Sequence, residues 1–436
     1  MTAASSTYVP VLILTDSADV VSPLVDAIAA RPGWASLGPL DLPRRIARLL
    51  WGFEAGRGEA GVSSLVDRRR LMVELRRLVD TLVVAAAGSG PGYVVDVCGD
   101  GEQIGPFIRS VWPDAVIVAV RPDQVGGEGI GLAAAAPDVV VSVAEIAADA
   151  AEVVERIAAA AGAEPTRPRV VRGVAKRSTL TRFRPAKSPM RDRVIVVLGA
   201  ARSGTTWMHH MLCAHPAVAG TLTGETWLFA DVAPVWDRAV REAAGEATTL
   251  TAMREFCDAL LSTVCDSAPA ASHVCEKTPT TVWWLPLVAQ LYPDAYFVHV
   301  VRDGRDVALS LARTRVAGDE LSADDLDSAA REWVAAVGAV EAAAPDLSRF
   351  REIRYEDLLS DPRRAVTDLW AWVGVEPSSE AEAELALRAT QRVTPLPASG
   401  SIGSGKWRSL PVAERGALQA ATEVLLKDLG YPVDES

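Results

Sequence analysis

Val194-Ile195-Val196-Val197-Leu198-Gly199-Ala200-Ala201-Arg202-Ser203-Gly204-Thr205-Thr206 decides the fold class. Five consecutive apolar, mostly β-branched residues predict a strand buried on both faces, as in a parallel sheet. Apolar residues at helical spacing follow from Thr206 to Ala214, so the stretch reads as strand, glycine loop and helix. That order aims several backbone N–H groups and the positive helix end at one anion. The glycine spacing is that of a P-loop, G-x-x-x-x-G, but Thr205 stands where a triphosphate-hydrolysing site carries lysine. The cation lies upstream instead, at Arg202. The loop is therefore expected to hold a phosphate group without being built for a metal–triphosphate.

Outward from this loop, short apolar runs alternate with helical patterns, the mark of βαβ units. Ala295–Val301 reads as a second strand after a helix-like stretch over Thr281–Leu291, and later helices are expected at Ala329–Ala343, Arg363–Val373 and Val412–Leu429. The expected fold class is α/β, a P-loop-type parallel sheet flanked by helices. From Arg167 to Arg193 the chain carries ten Lys or Arg, one acid (Asp192) and three prolines, and shows no apolar period. This reads as an exposed basic linker. The predicted organisation is a domain over 1–166, a linker over 167–191 and a domain over 192–436.

The two halves look alike. Val11–Leu14 leading to Ala30-Arg31-Pro32 parallels Val194–Leu198 leading to Ala214-His215-Pro216. Val111-Trp112-Pro113-Asp114-Ala115 parallels Leu291-Tyr292-Pro293-Asp294-Ala295. Val143-Ala144-Glu145-Ile146 and Gly162-Ala163-Glu164-Pro165 match Tyr355-Glu356-Asp357-Leu358 and Gly374-Val375-Glu376-Pro377 at a constant offset of 212. Matches in one order predict a duplicated α/β module. The first copy is degenerate: Thr15–Val20 stands where the phosphate loop should be, without glycine or arginine. Asp96-Val97 falls on Glu276-Lys277, and Arg121 is set against Arg302, but Gly129 lies eight residues on. The first half is expected to bind no nucleotide, which leaves it packing, acceptor-site shaping or assembly of a homo-oligomer.

Composition removes several classes. The 436 residues hold 44 basic and 56 acidic side chains, a net charge of −12, so general nucleic-acid affinity is excluded and any anion must be held locally. No apolar run reaches the roughly 18 residues of a membrane span. The start, Met1-Thr2-Ala3-Ala4-Ser5-Ser6, lacks a secretory pattern. Cys98, Cys213, Cys257, Cys265 and Cys275 are odd in number and form no C-x-x-C, which favours reduced thiols in a cytoplasmic protein over a disulfide or zinc framework. Lysine is scarce: Lys176, Lys187, Lys277, Lys406 and Lys427 are the only five.

Arg202-Ser203-Gly204-Thr205-Thr206, running on to Ala214-His215-Pro216, resembles the 5′-phosphosulfate loop of the sulfotransferases that use 3′-phosphoadenosine 5′-phosphosulfate (PAPS), in the arginine form of tyrosylprotein and bacterial members. Val301-Arg302-Asp303-Gly304-Arg305-Asp306-Val307-Ala308-Leu309-Ser310 is similar to the family's 3′-phosphate segment. Glu276-Lys277-Thr278-Pro279, Arg354-Tyr355-Glu356-Asp357-Leu358 and Gly405-Lys406-Trp407-Arg408 also resemble family segments. The resemblance covers about residues 192–432 and implies a sulfotransferase fold. It implies a donor site made of Arg202, Ser203, Gly204, Thr205, Thr206, Trp207, Arg302, Ser310, Lys406 and Trp407, with no metal required. It further implies transfer of sulfuryl from PAPS to a hydroxyl by in-line displacement, releasing adenosine 3′,5′-bisphosphate.

Such chemistry needs cations at the bridging oxygen and a base for the acceptor. Arg202 and Lys277 are the cation candidates. Glu225 is the first choice of base by resemblance, although its interval from Arg202 is longer than in tyrosylprotein-type members. His209, His210, His273 and His299 are the histidine rivals, with Asp231 and Glu276 as other acids. Arg305 and Asp306 are expected to form an ion pair capping a helix, and Tyr355–Asp357 reads as structural. Trp407 either stacks on the nucleotide or packs, and Trp283, Trp284, Trp370 and Trp372 are expected as core or acceptor-pocket walls. Asp231–Ser272 and Ala312–Asp327 are expected to border that pocket as irregular-looking loops and helices. The expected acceptor is a small molecule, glycolipid or carbohydrate. The competing functions are a P-loop kinase or phosphotransferase and a non-catalytic nucleotide-binding scaffold.

Overall fold

The structure is a computed structural model that describes residues 8–15, 19–37, 40–46, 66–87, 92–98, 108, 111–112, 114–121, 136–162, 188–221, 224–315, 322–376 and 404–433. Two units divide the chain. The first comprises 1–55, 66–188 and 231–259, and the second 56–65, 189–230 and 260–436.

The first unit holds strands β1 (Val9–Leu14), β2 (Trp34–Ser36), β3 (Tyr93–Cys98), β4 (Val116–Arg121) and β5 (Val139–Ser142). They form one sheet in the order β2-β3-β1-β4-β5, parallel throughout. Val11, Ile13, Val95 and Val118 are fully buried beneath the helices Ser22–Ala29 and Val143–Ala160, whose Leu24, Ile28, Val153 and Ile157 complete the core. In the second unit, β6 (Val194–Leu198), β7 (Val218–Gly220), β8 (His273–Glu276), β9 (Tyr296–Val301) and β10 (Phe350–Arg354) form a parallel sheet in the order β10-β9-β6-β8-β7. Central β6 has no exposed residue, as its unbroken apolar run requires.

The two sheets share strand order and register. Leu12 pairs with Asp96 and Val196 with Glu276; Val11 pairs with Val116 and Ile195 with Tyr296. Trp34–Tyr93 and Val118–Val139 in the first sheet answer Val218–His273 and Val298–Arg351 in the second. The constant shifts are 184 residues for β1 and β2, 180 for β3 and β4, and 212 for β5. Finer detail follows. The helix Val143–Ala160 kinks at Asp149 (φ −156°, ψ 88°), and Asp361, 212 residues on, separates Tyr355–Ser360 from Pro362–Trp372 at φ −147°, ψ 76°. Asp149 accepts from the Glu152 amide and Asp361 from the Arg364 amide. The glycine after each helix is left-handed, Gly162 at φ 68° and Gly374 at φ 82°.

Two expectations change. The register sets Arg121 against Val301, one position short of Arg302. The basic stretch, outside the described residues over 167–187, ends in ordered structure: Met190 is fully buried, Arg191 pairs with Asp294, and Arg193 donates to the Ala271 and Ser272 carbonyls. The segment after Asp231, expected as loops and helices, holds the helices Arg238–Ala244 and Glu246–Asp266. Among the described residues, no helix is long and apolar enough to cross a membrane.

Candidate functional site

The loop after β6 is built by glycines that no other residue could replace without a shift. A Cβ on Gly199 would lie 2.7 Å from the Val300 carbonyl, and one on Gly204 2.5 Å from the Tyr355 ring. Gly204 is left-handed at φ 101° and caps the helix Thr205–Cys213, leaving the first-turn amides aimed at the loop. Arg202 is itself left-handed, at φ 74°, a conformation rare for a side-chain-bearing residue and held only where surroundings dictate it. Ser203 turns inward, with both its amide and its hydroxyl donating to the Ala200 carbonyl. It closes the turn.

Lys277 follows the last residue of β8, and its side chain is 1% exposed. Its Nζ donates to Thr206 Oγ1 at 2.9 Å and to Glu225 Oε1 at 2.6 Å. The ammonium therefore joins the start of the loop helix to the expected base, which is itself 31% exposed. Backbone bonds place Glu225. The Lys277 amide donates to the Gly224 carbonyl, and the Trp227 amide to Thr278 Oγ1. Gly224, at φ 73°, leaves no room for a Cβ beside the His209 ring.

Glu276 is fully buried, and its Oε1 accepts from the Thr226 and Thr278 hydroxyls. Burial raises its pKa against those bonds and against the nearby Lys277 charge. It organises the turn around Glu225. Three of the histidine rivals have partners of their own. His209 bonds the Thr221 carbonyl, His299 bonds Glu352, and His273 bonds the Ser272 hydroxyl.

The second anchor lies at the end of β9. Arg302 donates to the Arg202 carbonyl at 3.0 Å and lies 4.8 Å over the Tyr355 ring, while Arg202 Nε donates to Ser310 Oγ at 3.1 Å. Arg202, Arg302 and Ser310, three of the residues expected to bind nucleotide, thus form one cluster. Tyr355, read from sequence as structural, belongs to it: its ring packs on Gly204 and beneath Arg302. Its sequence signal was its place directly after β10, beside β9 in the sheet.

The expected Arg305–Asp306 pair does not form. Arg305 is fully buried and grips Asp303 with two bonds of 3.0 and 2.8 Å. Asp306 accepts from the Gly405 and Trp407 amides at 2.5 and 3.2 Å, and burial raises its pKa. The late segment is thereby tied to the helix Gly304–Arg315. Trp407 is 3% exposed and lies under the Arg305 guanidinium at 3.9 Å; it packs, and Lys406 beside it is exposed. Trp207 likewise packs in the core with Trp370 and Val298. Trp283 and Trp284 are 46% and 38% exposed, because Pro279–Trp284 is a 3-10 turn and not part of an amphipathic helix.

Against known proteins, residues 194–379 match the sulfotransferase family. Zebrafish (Danio rerio) protein-tyrosine sulfotransferase 1 is 34% identical over 139 residues, 30% of this chain and 38% of its own. Chicken (Gallus gallus) protein-tyrosine sulfotransferase 2 is 26% identical over 192 residues, 42% of this chain and 51% of its own. The chain thus spans about half or less of these relatives. The sulfotransferase domain of a Synechococcus olefin synthase aligns over 56% of this chain and 97% of its own, at 20% identity and a TM-score of 0.40. The matched segment, residues 194–379, is similar to the sulfotransferase family and holds the phosphate loop, Glu225, Lys277, Arg302 and Ser310.

Proposed function

We propose that the second unit transfers a sulfuryl group from PAPS to a hydroxyl acceptor. The observation that carries this reading is the position of Lys277, one buried ammonium bonded on one side to the loop helix and on the other to a carboxylate. In the displacement, Glu225 takes the acceptor hydroxyl proton, the acceptor oxygen bonds to sulfur, and the bond from sulfur to the bridging oxygen breaks. Adenosine 3′,5′-bisphosphate leaves with that electron pair. Lys277, Arg202 and the loop amides oppose the charge that develops on the bridging oxygen, which is where fixed donors accelerate a reaction most. Arg302 and Ser310 hold the 3′-phosphate, and the Arg202–Ser310 bond couples the two phosphate positions. Lys406, on a segment anchored by Asp306, closes over the nucleotide. No step needs a metal.

The acceptor we propose is a small-molecule, glycolipid or carbohydrate hydroxyl. A tyrosine side chain is the second reading, favoured by the names of the relatives. The shared strand order, register and Asp149/Asp361 kink support reading the first unit as a copy of the same module that has lost its nucleotide residues. The experiment is label transfer from sulfur-labelled PAPS, in chelator, to phenols, sugars, glycolipids and a tyrosine peptide. Labelled product with equimolar bisphosphate release supports the proposal. Transfer from ATP–Mg²⁺ in its place would establish a kinase, and nucleotide binding without any turnover a scaffold.

A further inference from the structure

Behind the phosphate loop, the last residue of its helix meets the middle of β8. Gly220 on β7 pairs in register with Cys275 on β8. Because Gly220 has no Cβ, the Cys213 sulfur and the His209 ring occupy the space above it; a Cβ there would lie 2.5 Å from Cys213 Sγ and 2.6 Å from His209 Cε1. The Cys213 sulfur is 3.8 and 3.7 Å from the two His209 ring nitrogens, and a ligand atom of each of His209, Cys213 and Cys275 lies within 4.8 Å of the others. All five cysteines are free.

We propose that Cys213 and Cys275 are a peroxide-oxidisable dithiol, with Cys213 the attacking sulfur, Cys275 the resolving one and His209 the group that holds Cys213 as thiolate. His209 Nε2 bonds the Thr221 carbonyl at 2.9 Å. A carbonyl can only accept, so Nε2 carries hydrogen and Nδ1 is left to exchange a proton with the sulfur. The Cys213 thiol is pushed down to about 5, chiefly by the hydrogen bond from Cys275 and then by His209 and His210. Burial alone would lower His209, but the adjacent Cys213 sulfur outweighs it and the net shift is upward. Burial pushes Cys98, Cys257 and Cys275 well up, and Cys265 up. Thiolate character therefore singles out Cys213, which is half-buried where Cys275 is enclosed.

In the first step the Cys213 thiolate attacks one peroxide oxygen and the O–O bond breaks. This gives Cys213–SOH and hydroxide, which takes a proton from the imidazolium. In the second, the Cys275 sulfur attacks the Cys213 sulfur, and the OH group leaves with the Cys275 proton as water. The two thiols lose two electrons and the peroxide gains them. The bridge would join the loop helix to β8 two residues before Lys277.

The test is titration of the reduced full-length protein with hydrogen peroxide, followed by alkylation and peptide mass analysis, and it does not rest on the sulfotransferase reading. The expected product is a Cys213–Cys275 disulfide that dithiothreitol reverses and that forms before Cys98, Cys257 or Cys265 is lost to alkylation. In Cys275→Ser, dimedone should trap sulfenic acid on Cys213. In His209→Asn, alkylation of Cys213 near pH 6 should slow about tenfold or more. Cys213 staying alkylatable while another cysteine oxidises would overturn the proposal. So would stoichiometric zinc in the purified protein that is lost from Cys275→Ser, which would make the cluster a metal centre.

Discussion

The same strand position ends differently in the two units. Asp96 on β3 and Glu276 on β8 occupy equivalent register positions beside β1 and β6, and each is a buried carboxylate. Asp96 is held by the amides of Asp41, Leu42 and Val97, Glu276 by two threonine hydroxyls. The next residue is Val97 in one unit and Lys277 in the other. One frame of order 2-3-1-4-5 thus stands with and without the ammonium. In the proposed function the chemistry resides in a few side chains at the strand ends, and the sheet itself does not specify it.

The strongest way to break this comparison is to erase the difference. Lys277→Ala should lower turnover on the order of 10²–10³, as loss of a donor to a developing oxyanion does. Val97→Ala should leave turnover unchanged and cost about 1–3 kcal/mol of stability as a core truncation; initial rates and urea unfolding measure the two. Next in size, Arg302→Ala should weaken adenosine 3′,5′-bisphosphate by roughly 10–100-fold, since a hydrogen bond to a charged group contributes about 1.5–3 kcal/mol. Arg121→Ala, at the end of the equivalent strand, should not change that affinity in a calorimeter.

Much of this was legible in sequence, and the misses have separate causes. β6 could be read to the residue, since an unbroken apolar run between a turn and a glycine admits little else. Lys277 stood out because lysine is scarce. By contrast, the partner of Arg305 is Asp303, two residues before it, and the role of Asp306 is to hold amides about 100 residues away. No local pattern encodes such pairings. Trp283 and Trp284 stand outside the helix expected over Thr281–Leu291, which begins only at Leu285. The helix Glu246–Asp266 was readable, with Met253, Phe256, Cys257, Leu260 and Val264 buried at helical spacing, but it begins in a stretch of threonine and alanine that blurs the period.

Smaller effects sharpen the comparison. Burial raises the Asp96 pKa to about 7 against the bonds from its neighbouring amides. A carboxyl raised in the folded state favours folding below its unfolded pKa, near 3.9, and that contribution is lost as pH rises through about 7. Thermal unfolding midpoints should therefore decline between pH 5 and about 8, and Asp96→Asn should flatten the decline even if it lowers every midpoint. Smallest of all, Gly162→Ala and Gly374→Ala meet no atom within 4 Å and share a positive φ. Each should cost about 1–2 kcal/mol, the price of a left-handed alanine, in denaturant unfolding. Equal costs support equivalent helix ends; a clear inequality breaks the match.

The most direct test of the central claim is calorimetric titration of the intact chain with adenosine 3′,5′-bisphosphate in the absence of metal. A single site per chain, abolished or strongly weakened in Arg302→Ala, is the predicted result. Two sites per chain would show that the first unit also binds the nucleotide, and absence of binding alongside good ATP–Mg²⁺ binding would contradict the assignment of the phosphate loop.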